Sequence, residues 1–333
     1  MFARSRHLAV PWLVYVVFVI LGGAYVRATG SGAGCGDSWP LCDAMLTGAA
    51  PARATWIEVL HRLFSGLAWV GALAWVVVTL RAARKSGVAK ASGAVLRARR
   101  YALWAFALMS LEALIGAGLV LLELVATNIS FARAYWMAAH LLNTFILLWM
   151  NVALVLALRA SPDDPREALP CARAIWARRA LVPTALLLLT GVSGAVAALG
   201  DTLLFANTGS TLQAQDVVLG QLIALRIWHP VTALLASAAV TIWALRRLDA
   251  APGLALALVS LVACNIAVGV ANVWLRAPLT LQLVHLALAD ATWILFCITA
   301  MRTYSAASAP EAASEARSAL DRTRLSAGQV AGA

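Results

Sequence analysis

The chain has 333 residues, of which 62% are hydrophobic and 12% are charged, and its formal net charge is +11. Soluble domains are about half apolar and about a quarter charged, so this composition excludes a single soluble core and makes membrane lipid the solvent for much of the chain. In a membrane protein Lys and Arg collect in cytoplasmic loops, so the positive charge does not predict a nucleic-acid partner.

Eight apolar runs are long enough to cross a bilayer, which requires about 20 mostly apolar residues. They predict an all-α integral membrane protein with spans at Ala9–Ala28, Ile57–Leu80, Tyr101–Glu123, Ala134–Leu158, Ala180–Gly200, Leu225–Leu245, Leu254–Leu275 and Leu281–Met301. Basic residues concentrate in the amino-terminal segment, in the loops after the second, fourth and sixth spans, and in the tail. Both termini are therefore expected in the cytoplasm. No cleavable signal or transit peptide is expected, which favours a bacterial inner membrane.

The spans divide into two four-helix halves of the same topology. Residues 1–158 form the amino-terminal half and residues 180–301 the carboxy-terminal half, while the polar tail at 302–333 is expected to be disordered. The first helix of each half carries a glycine-containing segment, Gly22–Ala24 or Gly191–Ala195, and the second and fourth helices each carry a histidine. The pattern predicts two pseudo-symmetric four-helix bundles related by an axis along the membrane normal.

Four of the five histidines lie about one turn inside the outer end of an even-numbered span, and the fifth, His7, is expected to be a solvated surface residue. An imidazole within lipid is costly unless it faces the bundle interior and has a partner. One such residue can be an interhelical hydrogen bonder, but four at one depth indicate a shared ligand: His61, His140, His229 and His285. Facing imidazoles hold haem iron in helical bundles. Zinc is the alternative, and few carboxylates or thiolates at this depth would complete its ligand set.

The two halves differ in the residue three positions before the first histidine. Glu58 shares a helix face with His61 and is a candidate proton handler. Its alternative interpretation is a carboxylate favoured by the dipole at a helix start. The matching residue before His229 is Arg226, which together with Arg276 could pair with haem propionates.

Two acidic residues fall inside predicted spans, Glu112 in the third and Asp290 in the eighth. Intramembrane acids are functional candidates by default, and with the internal repeat they leave a transporter as one hypothesis. Glu112 could equally form a hydrogen bond across helices.

The first outer loop is rich in Gly and Pro and contains Cys35 and Cys42. On the oxidising side of a membrane these two cysteines can form a disulfide. Metal binding is the alternative, although the loop offers no third soft ligand. The other cysteines, Cys171, Cys264 and Cys297, are interpreted as ordinary small residues.

In this order the motifs resemble the haem A synthase family, membrane enzymes that convert haem O into haem A for haem–copper oxidases. The resemblance runs from about Tyr15 to Met301. It is carried by Arg27-Ala-Thr-Gly-Ser-Gly with the Cys35…Trp39-Pro40…Cys42 loop, Glu58-Val-Leu-His61-Arg62, Ala139-His140-Leu141, Gly194-Ala195-Val-Ala-Ala-Leu-Gly-Asp201-Thr202, Leu225-Arg226-Ile-Trp-His229-Pro230, and Asn272-Val-Trp-Leu-Arg-Ala-Pro278 before His285-Leu-Ala-Leu-Ala-Asp290.

The resemblance implies an eight-helix, two-half fold with a haem b held by His229 and His285. It also implies that haem O, the substrate, binds near His61 and His140, with Glu58 as the catalytic carboxylate. The reaction converts the C8 methyl of haem O to a formyl group. A haem O synthase is the implied supplier of substrate, the electron acceptor is not indicated, and a homo-oligomer is compatible with the pattern.

The resemblance further implies that Cys35 and Cys42 are a redox-active or structural pair, and Arg27 and Arg226 are expected to bind the cofactor. This chain departs from the family in two places. Between residues 200 and 226 it lacks the second cysteine pair of some members, and Pro230 follows the histidine where many members have Arg. A membrane cytochrome b that only transfers electrons is the competing hypothesis; it explains the four histidines but not the difference between Glu58 and Arg226.

Overall fold

The computed structural model describes residues 6–45, 50–85, 93–160, 170–206 and 215–302, and the regular structure within them is entirely helical. In this described part of the chain eight helices are long and apolar enough to cross a membrane. The predicted fold class, an all-α integral membrane protein, is therefore confirmed, while the pseudo-symmetry of the two halves stays a prediction.

The helices of the first half are α1 (Ala9–Ala28), α2 (Arg53–Lys85), α3 (Gly93–Leu121) and α4 (Phe131–Arg159). Those of the second half are α5 (Pro170–Ala206), α6, α7 (Pro252–Trp274) and α8 (Leu279–Arg302). Helix α6 runs through Gln215–Ala224, a 3-10 turn at Leu225–Ile227, and Trp228–Leu245. Except for Arg302, the tail that was predicted to be disordered lies outside the described residues.

Several helices begin earlier than their apolar runs. Helix α2 has 33 residues and starts at Arg53 rather than Ile57, which at 1.5 Å per residue makes it about 50 Å long. The hydrocarbon core is only about 30 Å thick, so polar turns extend the helix beyond lipid. As a result His61 lies about two turns from the helix start rather than the predicted one turn.

Helix α4 is the centre of the structure. Of its most apolar stretch 67% is buried, against 11–33% for the other candidate spans among the described residues. It packs on α3, closes the first bundle by also packing on α1, and contacts α5 of the second half. The Ser130 side chain caps its first turn by accepting a hydrogen bond from the Arg133 backbone N–H.

Two tryptophans, the half-buried Trp12 and the buried Trp293, form hydrogen bonds that connect other helices to α4. The Trp12 Nε1–H of α1 donates to Asn151 Oδ1 at 2.7 Å. The Trp293 Nε1–H of α8 donates to the Phe145 carbonyl at 2.8 Å, and its ring packs on that of Phe145. The second contact joins the two halves, because α8 belongs to the second and α4 to the first.

Trp293 is expected to be one of the largest single contributors to the packing between the halves, since it is only 1% exposed. Trp293→Ala should lower the free energy of unfolding by about 3–5 kcal/mol, and Trp293→Phe, which mainly removes the hydrogen bond, by about 1 kcal/mol. Thermal or denaturant unfolding in detergent measures both. The control is Trp104→Ala at a 58% exposed position of α3; an equal loss there would contradict the expectation.

Candidate functional site

The four histidines singled out in the sequence line one cavity of about 1330 Å³. His61 is on α2, His140 on α4, His229 on α6 and His285 on α8. All four lie toward the end of the bundle that carries the loop between α1 and α2, which is called the cysteine end below. Typical pockets for one small ligand hold about 300–1,000 Å³, so the cavity has room for more than one.

Each histidine ring lies against a glycine of the preceding helix. A Cβ built on the glycine would come within 3.1 Å of the His61 ring at Gly23, 2.9 Å of the His229 ring at Gly194 and 3.0 Å of the His285 ring at Gly269. The same contact at Gly116 is looser, at 4.0 Å from His140. These glycines leave the space that the imidazoles occupy, and the arrangement recurs in both halves.

His229 and His285 face one another across the second half. Their ring centroids are 6.2 Å apart and the planes are nearly perpendicular, at 82°. A bond from a metal ion to an imidazole nitrogen is about 2 Å long, so two imidazoles on opposite sides of one ion have ring centres roughly 6 Å apart. The second pair therefore fits axial ligation of a haem iron.

Hydrogen bonds orient the His229 ring. Its Nδ1 lies 3.2 Å from the Thr190 carbonyl and 3.4 Å from the Ser193 hydroxyl, which itself contacts the Thr232 hydroxyl at 2.9 Å. A carbonyl on one ring nitrogen is the usual way in which a metal-ligating imidazole is oriented.

The first pair is arranged differently, because no such ring contact joins His61 and His140 in the part of the chain that the structure describes. His140 Nε2 lies 3.4 Å from a carboxylate oxygen of Glu112 on α3. That carboxylate also accepts hydrogen bonds from the Asn143 amide and the Thr144 hydroxyl. Glu112 thus forms the interhelical bonds that the sequence left as one interpretation, and it also lines the cavity.

Two of the four imidazoles have a buried nitrogen in need of a partner. The Nδ1 atoms of His61 and His140 are buried and have no hydrogen-bond partner among the described residues. Buried polar groups are normally satisfied, so these atoms indicate that the cavity takes a ligand or ordered water. No group of three His, Cys, Asp or Glu side chains suited to a metal ion occurs among the described residues, which disfavours a tetrahedral zinc site of that kind.

Glu58 is 3% exposed. It connects α2 to the loop that contains Cys35 and Cys42, which is called the cysteine loop below. One carboxylate oxygen accepts the Cys35 backbone N–H at 2.9 Å and the other pairs with Arg62 at 2.6 Å. Arg62 in turn donates to the carbonyls of Ser38 at 2.7 Å and Leu41 at 2.9 Å. The dipole of a helix start does not account for this position, because Glu58 lies in the second turn of α2 and lines the cavity beside His61.

The Cys35 and Cys42 sulfurs are 2.15 Å apart at the cysteine end of the bundle. Both residues are buried. Their loop therefore forms a compact cover over the start of α2, and the Cys35 N–H connects it directly to Glu58.

Three arginines not yet placed also line the cavity: Arg27, Arg133 and Arg226. Arg27 is on α1 but reaches the second half, where it donates to the Ala198 carbonyl at 2.8 Å and to Gln282 at 3.1 Å. Arg133 was not predicted as a site residue, because a lone arginine near a predicted helix start is typical of a solvated surface. Arg276, by contrast, is exposed and does not line the cavity.

This fold and site define a helical multi-pass membrane protein in which two histidine pairs open on a shared cavity. Residues 6–297 match the family model COX15-CtaA, described as cytochrome oxidase assembly protein. The chain belongs to that family.

The chain is similar to a protoheme IX farnesyltransferase of Thermus thermophilus, with 41% identity in an alignment of 310 residues that covers 90% of this chain and 48% of the relative. It thus spans about half the length of that relative. It is also similar to the heme A synthase of Geobacillus kaustophilus, with 38% identity over 32% of this chain and 30% of the relative. The heme A synthase of Staphylococcus haemolyticus is 36% identical over 35% of each.

The glycine contacts should be sensitive to a single added methyl group. Gly194→Ala places a Cβ 2.9 Å from the His229 ring and should destabilise the protein by about 1–3 kcal/mol through overpacking. Gly116→Ala, with its nearest contact at 4.0 Å, should be neutral or slightly stabilising because alanine favours helix. Thermal unfolding in detergent compares the two variants. Equal effects would contradict the interpretation that Gly194 leaves the space that the His229 ring occupies.

Proposed function

We propose that this protein is a haem A synthase that oxidises the C8 methyl group of haem O to a formyl group. Water supplies the aldehyde oxygen, and an external electron acceptor takes up the four electrons. The observation that carries the proposal is the His229–His285 pair, 6.2 Å apart, on a cavity shared with Glu58, His61 and His140. Membership of the COX15-CtaA family and similarity to two heme A synthases support it.

In this proposal the second half, residues 180–301, holds a resident haem b. His229 and His285 would hold its iron, with the His229 ring oriented through Nδ1 by the Thr190 carbonyl. Arg226 and Arg27, both at the cavity wall, would bind its propionates.

The first half, residues 1–158, would bind haem O between His61 and His140. The Glu112 carboxylate lies 3.4 Å from His140 Nε2, so iron ligation through that nitrogen must displace this contact. His229 is instead held through Nδ1 by a backbone carbonyl. This difference supports an exchangeable haem in the first half and a permanent one in the second.

When bound, the haem supplies the redox chemistry that oxidising a methyl group demands. The chain's own contribution is orientation, exclusion of water and acceptance of protons. Glu58 is the carboxylate proposed to accept protons, since it lines the cavity beside His61 and its position is fixed by Arg62 and the Cys35 N–H.

We also propose that Cys35 and Cys42 form a disulfide on the oxidising side of the membrane, where such bonds persist. The bond would keep the cysteine loop compact and, through the Cys35 N–H, hold Glu58 in place. Both termini would then be cytoplasmic and the membrane would be a bacterial inner membrane, in agreement with the distribution of basic residues.

A membrane cytochrome b that only transfers electrons is the second candidate. The recurrence of the glycine–histidine contact in both halves favours it, because two equivalent haem sites would suit electron transfer. In the second half Arg226 stands at the position that corresponds to Glu58, whose buried pair with Arg62 lies beside His61; this difference between the halves favours the enzyme.

The Thermus relative supports a proposal about a partner. That relative is a protoheme IX farnesyltransferase, and this chain covers only 48% of it. We assign no transferase activity to this chain; rather, we propose that it acts beside a farnesylating enzyme that supplies haem O.

The proposed activity is tested by co-expression with a haem O-producing enzyme, followed by pigment extraction and an absorption spectrum of the purified protein. Haem A should appear in the extract only when this chain is present. Bound haem b without haem A would leave the cytochrome hypothesis, and a protein without any haem would leave the transporter hypothesis.

Glu58→Gln should retain bound haem b but lose haem A formation at least about 100-fold, the lower range for removal of a proton-transferring group. Glutamine keeps the size and the hydrogen-bond acceptor, so the cysteine loop should stay in place. The control is Glu123→Gln, at an exposed position near the same end of the bundle that does not line the cavity. Turnover by the Glu58 variant equal to that control would leave Glu58 with a structural role only.

A further inference from the structure

Arg133 is a buried arginine in the first turn of α4. Its residue exposure is 3%, and it lines the wall of the shared cavity. Charged residues are almost never fully buried unless they are paired. The position of its charge therefore requires a physical explanation.

The contacts of Arg133 leave its charge without an anionic partner. Nη1 donates to the carbonyls of Ala126 at 2.6 Å and Asn128 at 3.0 Å, which are neutral acceptors. Nε is buried and has no hydrogen-bond partner within the described residues. No carboxylate forms an ion pair with Arg133 among the side chains that the structure describes.

The surroundings increase the need for an anion. Arg27, which also lines the cavity, repels Arg133 electrostatically and therefore does not stabilise its charge. Arg62, another arginine at the wall, is neutralised by Glu58 at 2.6 Å. A buried charge without a partner costs several kcal/mol, and a bound anion would remove that cost for Arg133.

Arg133 is also well placed relative to His140. The two residues are seven positions apart on α4, so they share a helix face and lie about 10 Å apart along the axis. Arg133 is nearer the cysteine end. A flat ligand whose centre faces His140 would therefore present its edge to Arg133, and the guanidinium fork binds a carboxylate through two parallel hydrogen bonds.

We propose that Arg133 binds a carboxylate of the substrate, namely one propionate of the haem that faces His140. This inference rests on the proposed function, because it assigns a further contact in the same site. It gives the first half an anion-binding residue of its own, separate from Arg226 at the second pair.

The alternative is that Arg133 only holds the loop between α3 and α4 through the carbonyls of Ala126 and Asn128. The two roles predict a different dependence of ligand affinity on the ligand's charge. A loop clamp affects all ligands of the cavity alike, whereas a carboxylate site distinguishes an acid from its ester.

The test titrates the purified full chain, with its resident haem, with iron protoporphyrin IX and with the dimethyl ester of the same porphyrin. The wild type should bind the diacid more tightly. Arg133→Gln should weaken the diacid roughly 10- to 100-fold, the range expected for hydrogen bonds to a charged group, while affinity for the ester stays unchanged. The control is Arg53→Gln, an exposed arginine at the start of α2 that does not line the cavity.

The outcomes separate this inference from the proposed function. Equal affinity of the wild type for acid and ester, or an equal loss of both in Arg133→Gln, would overturn the inference and leave the proposed function standing. If the wild type binds neither porphyrin, both are overturned. If the Gln variant does not fold, Arg133→Lys replaces it. A ratio of diacid affinity to ester affinity that lies between the wild-type value and one supports the inference. A ratio equal to that of the wild type overturns it.

Discussion

The close approach of a glycine backbone to an imidazole ring is the contact on which the interior of this protein depends. Without a side chain at Gly23, Gly194 or Gly269, the preceding helix leaves room for a histidine ring at about 3 Å from where a Cβ would lie. Small residues let membrane helices pack closely, and here the space beside each glycine is occupied by an imidazole ring. All four histidines, together with these glycines, line one cavity.

The two halves use this common arrangement differently because of what lies next to each ring. His229 is oriented by a backbone carbonyl and faces His285. His140 meets the carboxylate of Glu112, and His61 lies beside Glu58, which a loop and an arginine fix in place. A carbonyl is a permanent neighbour, whereas a carboxylate on the ring nitrogen competes with a metal for that nitrogen. The proposal of a resident cofactor in the second half and an exchangeable ligand in the first rests on this difference.

Much of this architecture is predictable from sequence. The apolar runs identified the spans because lipid demands about 20 apolar residues of each crossing helix. Once the spans were known, the positions of the four histidines along the chain assigned them to the even-numbered helices. The predicted helix starts were late, since hydropathy detects the part of α2 in lipid and not the polar turns that begin at Arg53. Arg133 was missed because burial of a lone arginine depends on the neighbouring α3–α4 loop.

By itself, the sequence determined the solvent, the number of candidate spans and the set of histidines, because hydropathy and residue type are local properties. Only the tertiary structure decided that Glu112 bonds to Asn143 and Thr144 across α3 and α4, and that Arg27 of the first half reaches Gln282 of the second. Such contacts join residues far apart in the chain. They follow from how helices rotate and pack, and no local pattern records that.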